Sequence, residues 1–394
     1  MLPAYVKAND WHIMRDLSEI RTQIDRIDTD FSKLFMERME VSADVAEYKR
    51  ATGKPIYDRE RERANILAAS ERVPEELASY ATIIQSVLME ASREAQYKAL
   101  KSQSAIASRI EQAIKSAPSV FPRRARVACQ GVEGAYQQIA ADRMIRRASI
   151  AYHSTFEAVF EAVEQGAADF GVLPIENSTA GSVNHVYDLM MRHDFYIVRS
   201  CRLKIDHNLL VKPGTRKEDV RIVYSHQQAI NQCADYIAKI PNCRVHVCEN
   251  TAKAAEMVAA SDRDDVAALA SRACAKLYEL DVADSAVQDN QNNYTRFALI
   301  AKDLVIYPGA ERSSLMVVIN HEPGALYNVL ARFYALDINL NKLESRPIPG
   351  RDFEFMFYFD IECPAAAPEF GMLMNSLTDV CEEFRYLGSY TEVM

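Results

Sequence analysis

Residues 11–52 contain neither glycine nor proline, and apolar side chains recur in them at alternating steps of four and three: Ile13, Leu17, Ile20, Ile24, Ile27, Phe31, Leu34, Val41, Val45 and Tyr48. That period belongs to an α-helix with one apolar stripe, and at 1.5 Å per residue the helix would run for about 60 Å. The place due between Leu34 and Val41 is taken by Arg38. A guanidinium carried to a position that a helix buries is costly unless something anionic meets it. Arg21 and Lys49 each stand one place past a stripe position, and no Asp or Glu interrupts the stripe. Three accounts stay open: an ion pair with a neighbouring helix, a polar position that fixes register, or a counter-charge from outside the chain.

Residues 75–117 also lack glycine and proline, and the segment between the two stretches breaks at Gly53, Pro55 and Pro74 around a short helix. Two long helices and a short one cannot enclose a core alone, so an all-α, intertwined helical homodimer is expected over residues 1–117. The short helix offers Asp58, Arg61 and Glu62, and the third helix offers Ser92 and Gln96 on one face at i, i+4. Arg21 lies about 100° around the helix from Arg38, so it would have to arrive from the other chain of a dimer. The ordered set Arg21, Arg38, Lys49, Asp58, Arg61, Glu62, Ser92, Gln96 resembles the all-helical chorismate mutase family, over roughly residues 11–100. The resemblance implies that Arg38, with Arg21 of the partner subunit, clamps the two carboxylates of chorismate. It likewise implies that Lys49 and Gln96 contact the ether oxygen, that Glu62 holds the ring hydroxyl, and that Asp58, Arg61 and Ser92 order the site.

From Pro118 the texture changes. Short apolar runs such as FGVLPI, YIVRS, VAALA and RFALIA alternate with helical patterns such as STFEAVFEAVEQ. This predicts an α/β region with largely parallel sheets over 118–308, long enough for two lobes and a cleft. Four polar clusters sit where strands would end: Glu176 to Thr179, Tyr224 to Gln227, Glu249 to Thr251 and Asn290 to Phe297. Such clusters are turns or helix caps, or they face the crevice of an open sheet. The segments GVEGAY (131–136), VLPIENSTAGSV (172–183), VYSHQQAINQC (223–233), ENTAKAA (249–255) and NYTRF (293–297) resemble the prephenate dehydratase family.

That resemblance implies a two-lobed, periplasmic-binding-protein-like fold, with Thr295 essential to the reaction and Arg296 on a substrate carboxylate. Glu176, Asn177, Ser225, His226 and Asn290 become further substrate-binding candidates. Ala135 and Gln137 depart from the family pattern beside Tyr136. From chemistry alone, His226 or Glu176 is a better proton donor than a threonine hydroxyl, so the three remain open as the acid.

The last stretch, 309–394, reads strand, helix, strand, strand, helix, strand, which is the ferredoxin-like βαββαβ order. Pro323-Gly324-Ala325-Leu326 falls at a strand-to-helix turn, and Glu344-Ser345-Arg346-Pro347 closes the next strand. Backbone amides at such a turn take a carboxylate, and Glu344 suits an ammonium. These motifs resemble the ACT domain of phenylalanine-regulated dehydratases, which implies an effector site for L-phenylalanine.

A net charge of −9 with no basic stretch argues against nucleic acid, and no apolar run reaches the roughly 20 residues a bilayer needs. The N-terminal MLPAYVKAND reads too polar for a signal peptide, and eight cysteines without a CxxC pair point to a reduced, cytoplasmic setting. The stretch CRVHVC alternates like a strand and would split Cys243 from Cys248, so no metal or other cofactor is expected. Together these readings predict a homodimeric bifunctional enzyme acting on chorismate and prephenate. The alternative is a non-catalytic sensing protein with a coiled-coil dimerisation module.

Overall fold

The computed structural model describes residues 16–100, 104–351 and 354–393, so Ile13 lies outside the described residues. The chain divides into two compact units, Met1–Gln103 and Ser104–Met394.

The first unit consists of α1 (Leu17–Thr52), α2 (Arg59–Glu71) and α3 (Glu75–Leu100). Gly53, at φ 68°, ends α1 in the left-handed turn that suits a residue without a side chain. Only Ser42 and Ala46 of α1 are buried, against an α3 face that buries Met89, Ser92, Arg93 and Gln96. The apolar stripe does not form this contact: within the chain Leu34 is 64% and Tyr48 60% exposed. Arg38 therefore leaves the stripe altogether and turns toward α3, where small residues one and two turns on leave it room. Among the described residues of this unit no hydrophobic core is enclosed within one chain, as expected for two long helices and a short one.

The second unit opens with α4 (Ala105–Ser116), which the sequence reading had placed in the helical domain. Ala107, Ile110 and Ala113 form a stripe at i, i+3, i+6 and share a core with Phe359, Phe370 and Leu377. Ser104 caps the helix, accepting from the Ala107 N–H at 3.2 Å, and its own N–H donates to Asn375 Oδ1 at 2.7 Å.

Next come β1 (Arg124–Gln130), α5 (Tyr136–Met144), β2 (Arg147–His153), α6 (Phe156–Glu164), β3 (Phe170–Asn177), the short β4 (Gly181–Ser182), α7 (Asn184–Arg192) and β5 (Tyr196–Lys204). A second lobe follows with β6 (Asn208–Val211), β7 (Ile222–Ser225), α8 (Gln227–Gln232), α9 (Ala234–Ile237), β8 (Arg244–Val247), α10 (Thr251–Ala259), β9 (Val266–Ala270), α11 (Arg272–Leu277) and β10 (Asp281–Asp284). The chain then returns to the first lobe as β11 (Tyr294–Ala301), and β12 (Arg312–Val318), α12 (Ala325–Ala335), β13 (Asn339–Pro347), β14 (Phe355–Glu362), α13 (Pro368–Val380) and β15 (Glu383–Val393) complete it.

The second lobe is a sheet of order β10-β6-β9-β7-β8. The expectation of largely parallel sheets holds within β1, β2 and β3 and within β7, β8 and β9. It fails for β6, which runs antiparallel to both β9 and β10. It fails also for β11, which runs antiparallel to both β3 and β5 because it re-enters the first lobe from the second rather than through a crossover helix.

The C-terminal elements follow the βαββαβ order, and their sheet is not separate. One sheet runs β13-β14-β12-β15-β5-β11-β3-β1-β2, joined where Thr391–Val393 pair in parallel with Arg199–Cys201. Gly388 makes that junction feasible: at φ 127°, a Cβ there would lie 2.3 Å from the Ile197 carbonyl oxygen. Among the described residues, no helix is long and apolar enough to cross a membrane.

Candidate active sites

In the helical unit Arg38 reaches across from α1 to α3. One guanidinium nitrogen donates to the Leu88 carbonyl at 2.9 Å and also to Ser92 Oγ. Lys49 Nζ donates to the Ile56 carbonyl at 2.5 Å. Neither cation forms an ion pair among the described residues. Burial pushes Arg38 below its ordinary value; it pushes Lys49 down as well, with Asp58 and Glu62 opposing and Arg93 adding to the shift. Two half-buried cations with no carboxylate in direct contact favour an anion that supplies one.

Gln96 donates to the Ser92 carbonyl at 3.1 Å, and its Oε1 is buried with no partner. Asp58 caps α2 through the Arg61 N–H at 3.0 Å, while the Arg61 side chain is exposed. Glu62 pairs with Arg93, a buried cation on α3 that sequence reasoning missed, and Arg93 also stacks 5.2 Å over Tyr57. Its signal was available: Arg93 follows Ser92 on a helix face already carrying Ser92 and Gln96. Arg21 is exposed on α1, about 25 Å before Arg38 at 1.5 Å per residue, so it does not reach that site within the chain.

In the second unit a cavity of about 360 Å³ opens between the two lobes. Pro174, Asn177, Thr295 and Phe297 line it from β3 and β11, and His226, Gln232, Glu249, Asn250 and Thr251 line it from the other lobe. Thr295 Oγ1 accepts from Asn177 Nδ2 at 3.0 Å, which leaves the threonine's own proton free to donate elsewhere. Asn177 is fixed in turn, accepting at Oδ1 from the N–H groups of Thr179 at 3.0 Å and Ala180 at 2.9 Å. No Lys or Arg lines the cavity among the described residues. The N-terminal ends of α5 and α10 face it instead, through Ala135, Tyr136, Gln137 and Thr251, and helix N-termini favour anions.

His207 and Gln232 were not singled out from the sequence. Gln232 Oε1 accepts from Asn293 Nδ2 at 3.1 Å and lies 2.9 Å from His207 Nε2, so His207 donates there and its Nδ1 stays buried without a partner. His207 lies in the short link between β5 and β6, outside the four polar clusters read from the sequence.

Burial holds His207 below its ordinary value near 6.5, although the bond to Gln232 opposes the shift. The unfolded chain therefore takes up this proton first, so the stability His207 contributes is present above that value and falls as the pH drops below it. A thermal midpoint that declines between pH 7 and 5.5 is expected for this unit, and His207→Asn should flatten part of the decline. An unchanged slope in the variant would assign the acid loss to other groups.

The structure corrects four candidate residues. Arg296 was expected on a substrate carboxylate but is 5% exposed on the opposite sheet face, paired with Asp360 and donating to Tyr390 Oη at 2.7 Å. Successive residues of a strand point to opposite faces, so Thr295 in the cleft sends Arg296 away from it. Glu176 leaves Asn177 in the same way and meets Lys342 at 3.1 Å. Ser225 is fully buried and donates to the Leu269 carbonyl at 2.7 Å. Asn290 turns back on its own loop, accepting from the Asn292 N–H at 2.9 Å. His226 satisfies both of its readings: it lines the cavity, and its Nδ1 caps α8 by accepting from the Gln228 N–H at 3.3 Å.

These two sites match known families. Residues 20–97 fit the profile of chorismate mutase type II, and residues 127–304 that of prephenate dehydratase. A bifunctional chorismate mutase/prephenate dehydratase from Enterobacter agglomerans is 31% identical over 95% of both chains. The chain belongs to the bifunctional chorismate mutase/prephenate dehydratase family. The dehydratase part also resembles two solved structures, each at a TM-score of 0.62. One is a prephenate dehydratase from Arthrobacter aurescens in complex with L-Phe, 26% identical, covering 68% of this chain and 89% of that one. The other is described as a quorum quenching acylase, 30% identical, covering 67% of this chain and 97% of that one. The helical unit thus carries the mutase match and the second unit the dehydratase match.

In the C-terminal part, a cavity of about 540 Å³ is lined by Ile319 to Tyr327, with Glu354, Phe355 and Phe357. Gly324 caps α12 there at φ 84°, within the Gly324-Ala325-Leu326 turn. Glu344, Ser345, Arg346 and Pro347 do not line it. Glu344 and Arg346 face the dehydratase, accepting from Ser182 Oγ at 2.5 Å and pairing with Asp188 at 2.9 Å, while Ser345 and Pro347 are exposed. The two motifs expected to form one effector site are therefore apart within a chain.

Proposed function

We propose that the helical unit converts chorismate to prephenate and that the cleft converts prephenate to phenylpyruvate, with L-phenylalanine restraining the second step from the Gly324 turn of an ACT-type domain. The observation that carries the first reaction is the pair of half-buried cations, Arg38 and Lys49, with no carboxylate in direct contact among the described residues. A pericyclic rearrangement moves no proton. It needs a dianion held in a compact conformer and positive charge where the ether oxygen gains electrons. Gln96, with a buried unpaired oxygen beside Ser92, completes the contact surface. The open apolar stripe of α1 and the distance of Arg21 from Arg38 support a homodimer in which Arg21 serves the other chain.

In the cleft, Thr295 donates a hydrogen bond to the departing ring hydroxyl, which leaves as hydroxide with the electron pair of its C–O bond and takes a proton from solvent to become water. The bond from the ring to its carboxylate breaks, carbon dioxide departs, and the pair left behind completes the aromatic ring. The helix N-termini of α5 and α10 hold the substrate's charge in place of arginine. Eight free cysteines fit a reducing cytosol.

Pure protein given chorismate should consume its absorbance and then accumulate phenylpyruvate, with L-phenylalanine slowing only the second phase. Failure to turn over either compound would refute the enzyme reading and favour the sensing protein.

A further inference from the structure

The residues beside the cleft pair are tied to the C-terminal domain. Thr295 stands opposite Asn177 and Arg296 opposite Glu176 in the β11–β3 ladder. The first pair faces the cleft, and the second faces the other side of the sheet. There Arg296 meets Asp360 of β14, with Glu392 of β15 at 3.3 Å. Asp360 accepts from Ser314 Oγ at 2.5 Å and from Tyr390 Oη at 2.7 Å, and is 1% exposed. A buried charge pair whose carboxylate is bonded at both oxygens holds its backbone in one place. Arg296 Nε and Glu392 Oε2 lie beside it in ion-pair contact but without a hydrogen bond.

The β3 side of the β11 ladder is irregular at this point. Its register shifts between Arg296 and Phe297, where β3 supplies Pro174 and one residue, Ile175, left out of the pairing. Such an irregularity bends a strand and re-aims its side chains, and proline brings no N–H to the ladder. On its other side β11 keeps an unbroken register with β5 from Tyr294 to Leu299, so the irregular β3 side is where side-chain contacts can adjust the direction of Thr295.

We propose that Asp360, carried by the C-terminal domain, is a positioning residue for the dehydratase: through Arg296 it sets the backbone of β11 and so the direction in which Thr295 presents its hydroxyl. The cleft's reaction then depends on a strand whose other end, at Phe355 and Phe357, lines the Gly324 cavity. The proposal rests on the reading of Thr295 as the acting hydroxyl.

The test is steady-state turnover of prephenate and of chorismate by the full chain, below its melting temperature. Asp360→Asn should lower kcat for prephenate about ten- to a hundredfold, the scale on which small misplacements act. KM should stay within about threefold of the parent because Asp360 does not touch substrate. Chorismate turnover should not change, and Asp360→Glu should recover most of the lost rate. Should Asp360→Asn fail to fold, Tyr390→Phe, which removes the hydroxyl shared by Arg296 and Asp360, should give a smaller fall in kcat at constant KM. A parental kcat in the folded variant, or a loss confined to KM, overturns the proposal. Thr295→Ala separates the two layers. If it keeps the parental rate, the reading of Thr295 fails. If it is inert while Asp360→Asn is fully active, the positioning role alone fails.

Discussion

Arg38→Ala is expected to lower chorismate turnover about a hundred- to a thousandfold, the range seen when one preorganised donor to a developing charge is removed. The rate on added prephenate should stay at its parental value, because the cleft belongs to a different compact unit. The size of the effect follows from the chemistry. With no proton to transfer, binding and electrostatics are all the protein contributes, and Arg38 is one of two half-buried cations available for it. The variant also removes the contacts to Leu88 and Ser92 that join α1 to α3. A circular-dichroism melt of the same protein separates the two roles. If helical content collapses along with turnover, Arg38 serves the fold; if helices persist while turnover is lost, it serves the substrate. Loss of prephenate turnover as well would contradict the assignment of Arg38 to the mutase alone.

Thr295→Ala should have the opposite profile. Dehydration of prephenate is expected to fall about a hundred- to ten-thousandfold, as when a positioned proton donor is deleted, with chorismate turnover unchanged. Thr295→Ser, which keeps the hydroxyl and its bond from Asn177, should retain far more of the rate. A threonine is a weak acid, but loss of carbon dioxide with aromatisation drives the step, so a directed hydrogen bond suffices. A parental rate in the alanine variant would pass the role to His226, since Glu176 points to Lys342 on the far side of the sheet. Single-turnover mixing with prephenate, quenched and read as phenylpyruvate, measures the effect free of product release.

What the sequence made legible was local. The helical stripe, the breaks at Gly53, Pro55 and Pro74, and the βαββαβ order all follow from periodicity and punctuation within short windows. Thr295 was legible only by resemblance. What stayed hidden is long-range. Asn177 finds Thr295 across 118 positions because β3 and β11 pair, and Arg296 finds Asp360 across 64. No spacing rule announces such meetings. The misreading of Arg296 and Glu176 is different, since alternation along a strand, applied to Thr295 and Asn177, would have turned both away from the cleft. Helix α4 was assigned to the helical domain on composition, and its small apolar stripe gave no hint of which core would accept it.

The parallel pairing of Thr391–Val393 with Arg199–Cys201 bears on how this polypeptide can be cut and recombined. A chain ended after residue 308 would leave β5 with a bare row of backbone donors and acceptors, an invitation to pair with other molecules. It would also take from Arg296 its partners Asp360, Tyr390 and Glu392. The helical unit is a compact unit of its own, whereas the C-terminal strands continue the sheet that carries Thr295.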